Sequence, residues 1–486
     1  MTGAPVLWTA AETAAATGGD GGTASWAAGG VSIDTRTLAP GDLFVAILGP
    51  RFDGHAFVAE AFGRGAVAAV VSRGPADVPA GAPLLVVRDT LRALEDLGRC
   101  ARVRSRARIV GVTGSVGKTG VKEALNTVLS AQAPTAATAG NLNNHWGLPL
   151  SLARLPREAA FGVFEMGMNH PGELDRLTRL ARPHVAVITT VDAVHKQFFA
   201  SIEAIADAKA EIFRGVEPGG AAVLNRDNGQ FARLAAVATA HGVRIVGFGR
   251  HDHSTVRLVS AVQDDGGASV EASVEGRIVD YRINVPGRHW IANSLCVLAA
   301  VLAAGADVDA AAAALARVVP AKGRGQRFAV TLAGGRFEVI DDSYNASPVS
   351  MAAAFDVLGR ARPGPGGRRL AMLGDMLELG EDSASLHAAL AGPLAANGID
   401  LVFTAGAAMA HLAEALPAAM CGGHAPDSRA LVAFATAAVR AGDVVTVKGS
   451  AGSRMGLIVE ALRALDRGET GGETGGGATA AAGSGG

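Results

Sequence analysis

The sequence lacks the features that mark secreted, membrane-spanning and nucleic-acid-binding proteins. No apolar run approaches the ~20 residues of a membrane-spanning helix, and residues 1–20 hold no basic segment followed by an apolar run, so we expect no secretory signal. The three cysteines form neither a CxxC motif nor an even disulfide framework. The net charge of −1 offers no bulk attraction for nucleic acid. We therefore expect a cytoplasmic protein with no membrane or nucleic-acid partner.

The sequence is long and alternates between patterns typical of strands and patterns typical of helices. A chain of 486 residues, 49% hydrophobic and 18% charged, is long enough for about three folded domains. Short apolar runs broken by Gly and Pro predict a small α/β domain over residues 1–88. Residues 89–317 alternate strand and helix signals, which predicts a parallel sheet covered on both faces. Its strand candidates are 108–112, 161–165, 184–189, 221–224 and 244–248, followed by an antiparallel excursion at 255–285.

A third block, 318–467, repeats the alternation and predicts a second doubly wound α/β unit. Its strand candidates are 337–341, 369–373, 401–404 and 443–447. The segment 468–486 is rich in Gly, Ala, Thr and Ser and is predicted to be disordered. Elsewhere, the segment from Arg99 to Arg108 contains five arginines, counting both ends. Such a run can grip phosphate, but a solvated helix face is its commoner role, and we favour that interpretation here.

The clearest motif is a glycine-rich loop between a predicted strand and a predicted helix. It reads Gly-Ser-Val-Gly-Lys-Thr from Gly114 to Thr119, preceded by Gly111. Gly114 and Gly117 allow backbone N–H groups, with that of Ser115 between them, to converge on phosphate oxygens. The following helix would add its positive end. Lys118 would then reach the β- and γ-phosphates, and Thr119 would offer its hydroxyl to Mg²⁺. The loop predicts a nucleotide but not a reaction.

Three further side chains suggest a metal site. Glu165 ends one predicted strand and His195 follows another, so both fall at the carboxyl edge of the sheet, where open α/β folds bind ligands. Lys209 fills a gap in the apolar stripe of a predicted helix over 201–213, which has Ser201 as its N-cap. A lysine on a core-facing stripe is rare unless it is paired. It either snorkels to solvent from the stripe edge or faces an active site.

Taken in order, these motifs resemble the Mur ligase family, from Ser32 to about Leu462. They are the phosphate loop, Glu165-Met-Gly167, His195 with Ala208-Lys-Ala-Glu-Ile-Phe213, Gly287-Arg-His289 with Asn293, Arg327, and Asp341-Asp-Ser-Tyr-Asn345. The resemblance implies three domains that bind a UDP-linked substrate, ATP and an amine substrate, in chain order. The central one is a P-loop ATPase domain, and the last is Rossmann-like.

The resemblance also implies roles for single residues. Thr119 and Glu165 would hold one Mg²⁺. His195 and a carbamylated Lys209 would hold a second, with Lys118 on the phosphates. The remaining nucleotide contacts would come from Asn293, Arg327 and Asp342. The expected substrate-binding residues are Asp34, Arg36, Thr138, Asn141, Asn143, Asn144, Tyr344, Asn345, Asp375 and Lys448.

Within the family, several segments favour one activity, the ATP-dependent addition of D-alanyl-D-alanine to UDP-N-acetylmuramoyl-tripeptide by a monomeric enzyme. They are 34–36, 51–55, 138–144, 342–348 and 373–380. A related ligase that adds the third amino acid, or a folylpolyglutamate synthase-like ligase, is the alternative. No Asp-Asn-Pro-Arg-like motif for an amino-acid carboxylate is found in the sequence. A nucleotide-binding switch and an inactive ligase-like scaffold are the rivals outside this chemistry.

Overall fold

The computed structural model describes residues 5–21, 23–49, 52–75, 77–78, 81–193 and 197–467. The chain divides into two compact units. The first holds residues 1–321 and 378–381; the second holds 322–377 and the chain from 382 onward. The predicted tail 468–486 lies outside the described residues. Within those residues no helix is both long and apolar enough to cross a membrane.

The first unit begins with a small parallel sheet of order β3-β4-β5-β6, preceded by an antiparallel pair, β1-β2. Helix α3 starts after an Asp89 N-cap and packs Leu94 and Leu97 into the core of this sheet. Its elements are β1 (Trp8–Thr9), α1 (Ala10–Thr17), β2 (Ala27–Ala28), β3 (Gly30–Ser32), β4 (Asp42–Val45), a 3-10 turn (Gly54–Phe57), α2 (Val58–Gly63), β5 (Ala68–Val71), β6 (Leu84–Val86) and α3 (Thr90–Arg104).

The larger sheet of the first unit runs β15-β14-β13-β12-β11-β10-β7-β9-β8. Strands β7 to β12 pair in parallel and β13 to β15 form an antiparallel meander, as the sequence predicted. The strands are β7 (Arg108–Thr113), β8 (Thr135–Ala137), β9 (Phe161–Glu165), β10 (Val185–Ile188), β11 (Ala221–Asn225), β12 (Arg244–Gly249), β13 (Val256–Asp264), β14 (Gly267–Val274) and β15 (Arg277–Ile283).

Helices cover both faces of this sheet, which confirms the predicted doubly wound arrangement. Side chains alternate along β7, so Val110 and Val112 enter one core with α4 and α9, and Ile109 enters the opposite core with α6 and α7. The helices are α4 (Lys118–Ser130), α5 (Gly147–Ala153), α6 (Glu173–Ala181), α7 (Ile202–Ala210), α8 (Phe231–Ala240), α9 (Arg288–Ala304) and α10 (Val308–Leu315), with a 3-10 turn at Glu211–Gly215.

The second unit is built on a sheet of order β16-β17-β21-β18-β19-β20, in which β16 pairs antiparallel and the other strands pair in parallel. The four predicted strands are confirmed, and β16 and β20 were missed. The elements are β16 (Gln326–Leu332), β17 (Gly335–Asp342), α11 (Pro348–Arg360), β18 (Arg369–Gly374), α12 (Ser383–Ala388), α13 (Ala391–Ala396), β19 (Leu401–Ala405), α14 (Ala410–Ala415), β20 (Cys421–Ala425), α15 (Ser428–Ala438), β21 (Val444–Lys448) and α16 (Gly456–Arg463), with 3-10 turns at Gly380–Asp382 and Ala451–Ser453.

Candidate active site

The loop between β7 and α4 has the shape of a phosphate-binding loop. Gly114 (φ 149°) and Gly117 (φ 86°) both adopt the left-handed backbone region that favours glycine. A Cβ added to Gly114 would lie 1.9 Å from Oγ1 of Thr189, so no larger residue fits there. Helix α4 begins at Lys118 with Gly117 as its N-cap. The positive end of its dipole therefore faces the loop.

The residues that follow the neighbouring strand β10 hold this loop in place. The backbone N–H of Ser115 donates to the carbonyl of Thr190 at 2.9 Å, so it does not point to the phosphate position, contrary to the prediction from the sequence. The hydroxyl of Ser115 donates to the carbonyl of Asp192 at 3.1 Å. The hydroxyl of Thr189 donates to the carbonyl of Val116 at 2.6 Å. The loop is thus pre-formed by contacts that sequence reasoning did not foresee, because they join segments distant along the chain.

Two predicted nucleotide-binding side chains meet the loop directly. The ammonium of Lys118 folds back and donates to the carbonyl of Gly114 at 2.7 Å. Asn293 extends from α9, and its Oδ1 lies 3.0 Å from the Cβ position of Gly117. Its Nδ2 lies 3.7 Å from the Cβ position of Gly120, in the first turn of α4. Both side chains are therefore within reach of a group bound at the loop.

A single buried carboxylate joins the loop helix to the predicted substrate segment. Glu165 ends β9, as the sequence predicted, and is 1% exposed. Its Oε2 accepts a hydrogen bond from the hydroxyl of Thr119 at 3.0 Å, and its Oε1 accepts one from Nδ2 of Asn143 at 2.8 Å. Its backbone N–H donates to Oγ1 of Thr138 at 3.1 Å. Hydroxyl and carboxylate oxygens are ligands that Mg²⁺ prefers, so the Thr119–Glu165 pair fits this ion.

The segment 138–144 presents its four predicted substrate residues in two ways. Thr138 and Asn143 face Glu165, as described above. Asn141 is exposed. Asn144 is also exposed, and its Oδ1 accepts the backbone N–H groups that begin α5, at 3.1 and 3.0 Å. Asn143 therefore contacts the carboxylate of Glu165, Thr138 contacts its backbone N–H, and the other two residues lie at the surface.

Lys209 lies on α7 and is buried in the core. The helix begins after Ser201, whose side chain accepts the N–H of Ala204, so the predicted N-cap is confirmed. Lys209 is 1% exposed, which contradicts the snorkelling alternative. Burial is the main cause that lowers the pKa of Lys209 well below its usual range, and the positive charge of Lys118 lowers it further. A buried amine with a lowered pKa is a nucleophile rather than a cation.

The second predicted metal ligand, His195, lies outside the described residues. Within the described ranges no group of three or more His, Cys, Asp or Glu side chains is placed to hold a metal ion. The predicted protein ligands of the second Mg²⁺ are one histidine and one modified lysine. Its composition therefore stays a prediction.

In the second unit, three predicted residues meet where β17 and β21 end. Lys448 is 2% exposed, and its Nζ donates to Oδ2 of Asp342 at 2.6 Å and to the carbonyl of Asn345 at 2.8 Å. Arg327 does not join this cluster. Its Nη1 on β16 donates to Oε1 of Glu338 at 3.0 Å.

Asp375 lies beside a cleft at the carboxyl ends of β18, β19 and β20. The cleft has a volume of about 440 Å³, and Ser428, Arg429, Ser453 and Arg454 are among the residues that line it with Asp375. Oδ1 of Asp375 accepts the backbone N–H that precedes α14 at 2.8 Å. Carboxyl ends of parallel strands are the usual ligand site of open α/β sheets.

Tyr344 lies apart from that cleft, under the guanidinium of Arg324, which is 4.5 Å from its ring centroid.

In the first unit, Asp34 and Arg36 form an ion pair of 2.6 Å. The hydrogen bond from Arg36 is the main cause that lowers the pKa of Asp34. The side chain of Arg36 is 84% exposed, so the pair adds little stability. Arg51, which starts the predicted 51–55 motif, lies outside the described residues.

Two features of this region were missed or misread from the sequence. Lys122 is fully buried, and its Nζ donates to the carbonyl of Thr138 at 2.8 Å. Its spacing was a usable signal, because it follows Lys118 by one helical turn and is in line with the apolar Leu125.

The arginine run from Arg99 to Arg108 is not wholly solvated, although the sequence predicted a solvated helix face. Arg102 is 5% exposed and donates through Nε to the last carbonyl of α6 at 2.7 Å.

The parallel sheet, the glycine-shaped loop and the Thr119–Glu165 pair define an α/β protein that binds a nucleoside triphosphate. Three domain families match the chain. The "Mur ligase family, catalytic domain" matches residues 28–115, the "Mur ligase middle domain" matches 112–301, and the "Mur ligase, glutamate ligase domain" matches 323–451. The chain therefore belongs to the Mur ligase family.

Relatives with the same architecture extend over nearly the whole chain. The UDP-N-acetylmuramoyl-tripeptide–D-alanyl-D-alanine ligase of Escherichia coli K12 is 37% identical over 436 residues, which cover 89% of this chain and 93% of that protein. A crystal structure of MurF from Acinetobacter baumannii has 30% identity and a TM-score of 0.80, covering 94% of this chain and 99% of that one. MurF ligase from Thermotoga maritima in complex with ADP has 27% identity and a TM-score of 0.73, covering 90% and 97%. These similarities bear out the predicted three-domain α/β architecture.

Proposed function

We propose that this chain is an ATP-dependent amide ligase that adds D-alanyl-D-alanine to UDP-N-acetylmuramoyl-tripeptide, in peptidoglycan precursor synthesis. One observation carries the proposal. Glu165 accepts one hydrogen bond from Thr119, on helix α4 after the phosphate loop. It accepts another from Asn143, in the predicted substrate segment 138–144, which we call the acceptor segment. A ligase needs this proximity, because the transferred phosphate must meet the acceptor carboxylate. The relatives that carry this activity in their names span the same length of chain.

The chemistry requires activation, because a carboxylate and an amine do not condense at neutral pH. A carboxylate oxygen of the tripeptide attacks the γ-phosphorus of ATP, and ADP leaves. The amine of the dipeptide then attacks the acyl carbon, and inorganic phosphate leaves as the amide forms. Phosphoryl transfer depends on positioning and charge neutralisation. Lys118 supplies one positive charge at the loop.

Thr119 and Glu165 would hold Mg²⁺, and Asn143 fixes the orientation of the Glu165 carboxylate. When bound, Mg²⁺ would neutralise phosphate oxygens and orient them for in-line transfer. Asn293 would contact the nucleotide from its place beside the loop, with Arg327 and Asp342 on the adenine and ribose. His195 and Lys209 are the proposed ligands of a second Mg²⁺.

We assign one substrate to each predicted domain. Residues 1–88 would bind the UDP moiety, using Asp34 and Arg36, residues 89–317 would bind ATP, and residues 318–467 would bind the dipeptide. The cleft beside Asp375 suits the dipeptide, because its lining holds both signs of charge. Arg429 and Arg454 would complement the terminal carboxylate, and Asp375 and Asp427 would complement the amino group. We propose Tyr344, Asn345 and Lys448, which do not line that cleft, as further substrate-binding residues of this domain. We propose that the enzyme works as a monomer in the cytoplasm.

Carbamylation of Lys209 is part of the proposal. Its buried amine, with a lowered pKa, is suited to react with CO₂, and the carbamate would supply an anionic oxygen ligand. We expect ¹³C-bicarbonate to give a carbamate NMR signal in the wild type that is missing in Lys209→Ala. We also expect short carboxylates such as acetate to restore part of the activity of Lys209→Ala. Full activity of the unrescued variant would refute the carbamate.

Phosphate release by the purified protein tests the overall function. The assay contains ATP, Mg²⁺, UDP-N-acetylmuramoyl-tripeptide and D-alanyl-D-alanine, and each is omitted in turn. We expect release only with all four, and a nucleotide product heavier by one dipeptide unit. Release with a free amino acid and a shorter UDP-peptide would instead assign the chain to a related ligase. Binding of ATP with no release under any condition would favour a switch or an inactive scaffold.

A further inference from the structure

The fully buried lysine of helix α4 has no role in the reaction described above. Lys122 is 0% exposed and belongs to the helix that begins at the phosphate loop. Its ammonium donates to the carbonyl of Thr138 at 2.8 Å and to that of Gly140 at 3.5 Å. It also pairs with Glu123, whose side chain is 30% exposed. Two of these three partners are backbone atoms of the acceptor segment.

Stability alone does not explain a lysine at this position. A charge removed from water costs free energy, and replacing a buried ion by an apolar side chain of similar volume is often neutral or stabilising. A methionine of similar length would fill the same space but would carry no donor. The property unique to Lys122 is therefore its set of hydrogen bonds to residues 138 and 140.

These bonds fix the segment on which Glu165 depends. Thr138 accepts the backbone N–H of Glu165 through Oγ1, and Asn143, further along the same segment, donates to the Glu165 carboxylate. Helix α4 contacts the carboxylate a second time through Thr119. Hydrogen bonds thus connect helix α4 to segment 138–144 through Lys122, that segment to Glu165 through Asn143, and Glu165 back to α4 through Thr119.

We propose that Lys122 is a positioning residue that fixes segment 138–144 for the acceptor substrate. The inference rests on the proposed function, because it takes this segment to contact the UDP-linked acceptor. Loss of the ammonium would let the segment move while the phosphate loop keeps its own contacts with residues 189–192, which follow β10. The acceptor site would then weaken more than the ATP site.

Lys122→Met tests this directly, with Lys322→Met as a matched control at an exposed lysine. We expect Lys122→Met to raise KM for UDP-N-acetylmuramoyl-tripeptide by roughly tenfold or more, which is the loss expected for a charge-assisted hydrogen bond. We expect KM for ATP to change by less than about twofold. Lys122→Gln, which keeps N–H donors, should restore part of the difference and also serves if Lys122→Met folds poorly.

A second measurement does not depend on turnover. Hydrogen exchange should become faster in residues 138–144 of Lys122→Met and stay unchanged in β7. If the wild type makes no product, the proposed function fails, and this measurement still tests the positioning role. An unchanged KM for the acceptor with unchanged exchange would overturn the inference. An equal rise in KM for ATP and acceptor would overturn it too, since that indicates a general disturbance of the site.

Discussion

The hydrogen bond from Asn143 to Glu165 gives the sharpest test of the site. Asn143→Ala removes the donor at 2.8 Å from Oε1 of a carboxylate that is 1% exposed. A hydrogen bond to a charged group contributes about 1.5–3 kcal/mol, and the loss is not replaced by water where the carboxylate is buried. Since about 1.4 kcal/mol is a factor of ten in rate, kcat/KM for the tripeptide should fall by roughly 10- to 150-fold.

Asn143→Asp separates loss of the donor from loss of volume. The new carboxylate would face Glu165 at hydrogen-bond distance and place a second negative charge beside it. The substitution keeps the volume of the amide but carries no donor, so Asn143→Asp should be at least as impaired as Asn143→Ala. Initial rates with varied tripeptide, measured from pH 6 to 9 at saturating ATP and Mg²⁺, give both comparisons. Asn143→Ala within about twofold of the wild type would refute the assigned role of this bond.

Two other changes have clear expected outcomes. Lys118→Ala should lower turnover by about 10³-fold or more, because it removes the cation at the phosphate loop, while calorimetric affinity for the UDP-tripeptide stays unchanged; loss of that binding as well would disprove separate sites. His184 accepts the N–H of Ile109 at 2.9 Å, and burial, followed by the charges of Arg102 and Arg108, lowers the pKa of His184 from 6.5 to about 4. The unfolded chain then binds more protons, so the wild type should lose about 1–2 kcal/mol of stability between pH 6.5 and 4, after a discount for partial exposure. In urea unfolding, the free energy of unfolding of His184→Asn should depend less on pH between 6.5 and 4 than that of the wild type. An equal pH dependence in the two proteins would contradict this account.

Much of the fold was predictable because its core strands are continuous apolar runs. Strands such as Val185–Ile188 and Ala221–Asn225 are buried on both faces, so their composition alone identifies them. The strands that were missed lack that signal. Cys421–Ala425 contains two glycines and a histidine, and Thr135–Ala137 is a three-residue edge strand. Their pairing depends on neighbouring strands rather than on their own residues.

The site was predictable in its parts but not in its connections. The phosphate loop and Glu165 follow from local sequence and from the rule that strands present ligands at their carboxyl ends. The contact between Thr119 and Glu165 spans 46 residues, and that between Lys448 and Asp342 spans 106. Each contact depends on which strands are neighbours in the sheet. Strand order is a property of the whole fold, so no local pattern could indicate these pairs.

The spacing of charged residues along α4 explains why this helix can link the two halves of the reaction. Lys118 and Lys122 are four residues apart and so lie on one side of the helix, with Thr119 next to them. That side meets the phosphate loop at its first turn and the acceptor segment at its second. A helix is rigid over two turns, so the backbone positions of the two lysines keep a fixed separation. One helix therefore carries both the residues proposed to hold the nucleotide phosphates and the residue that holds the acceptor segment. An in-line transfer requires this fixed relative position of the two substrates.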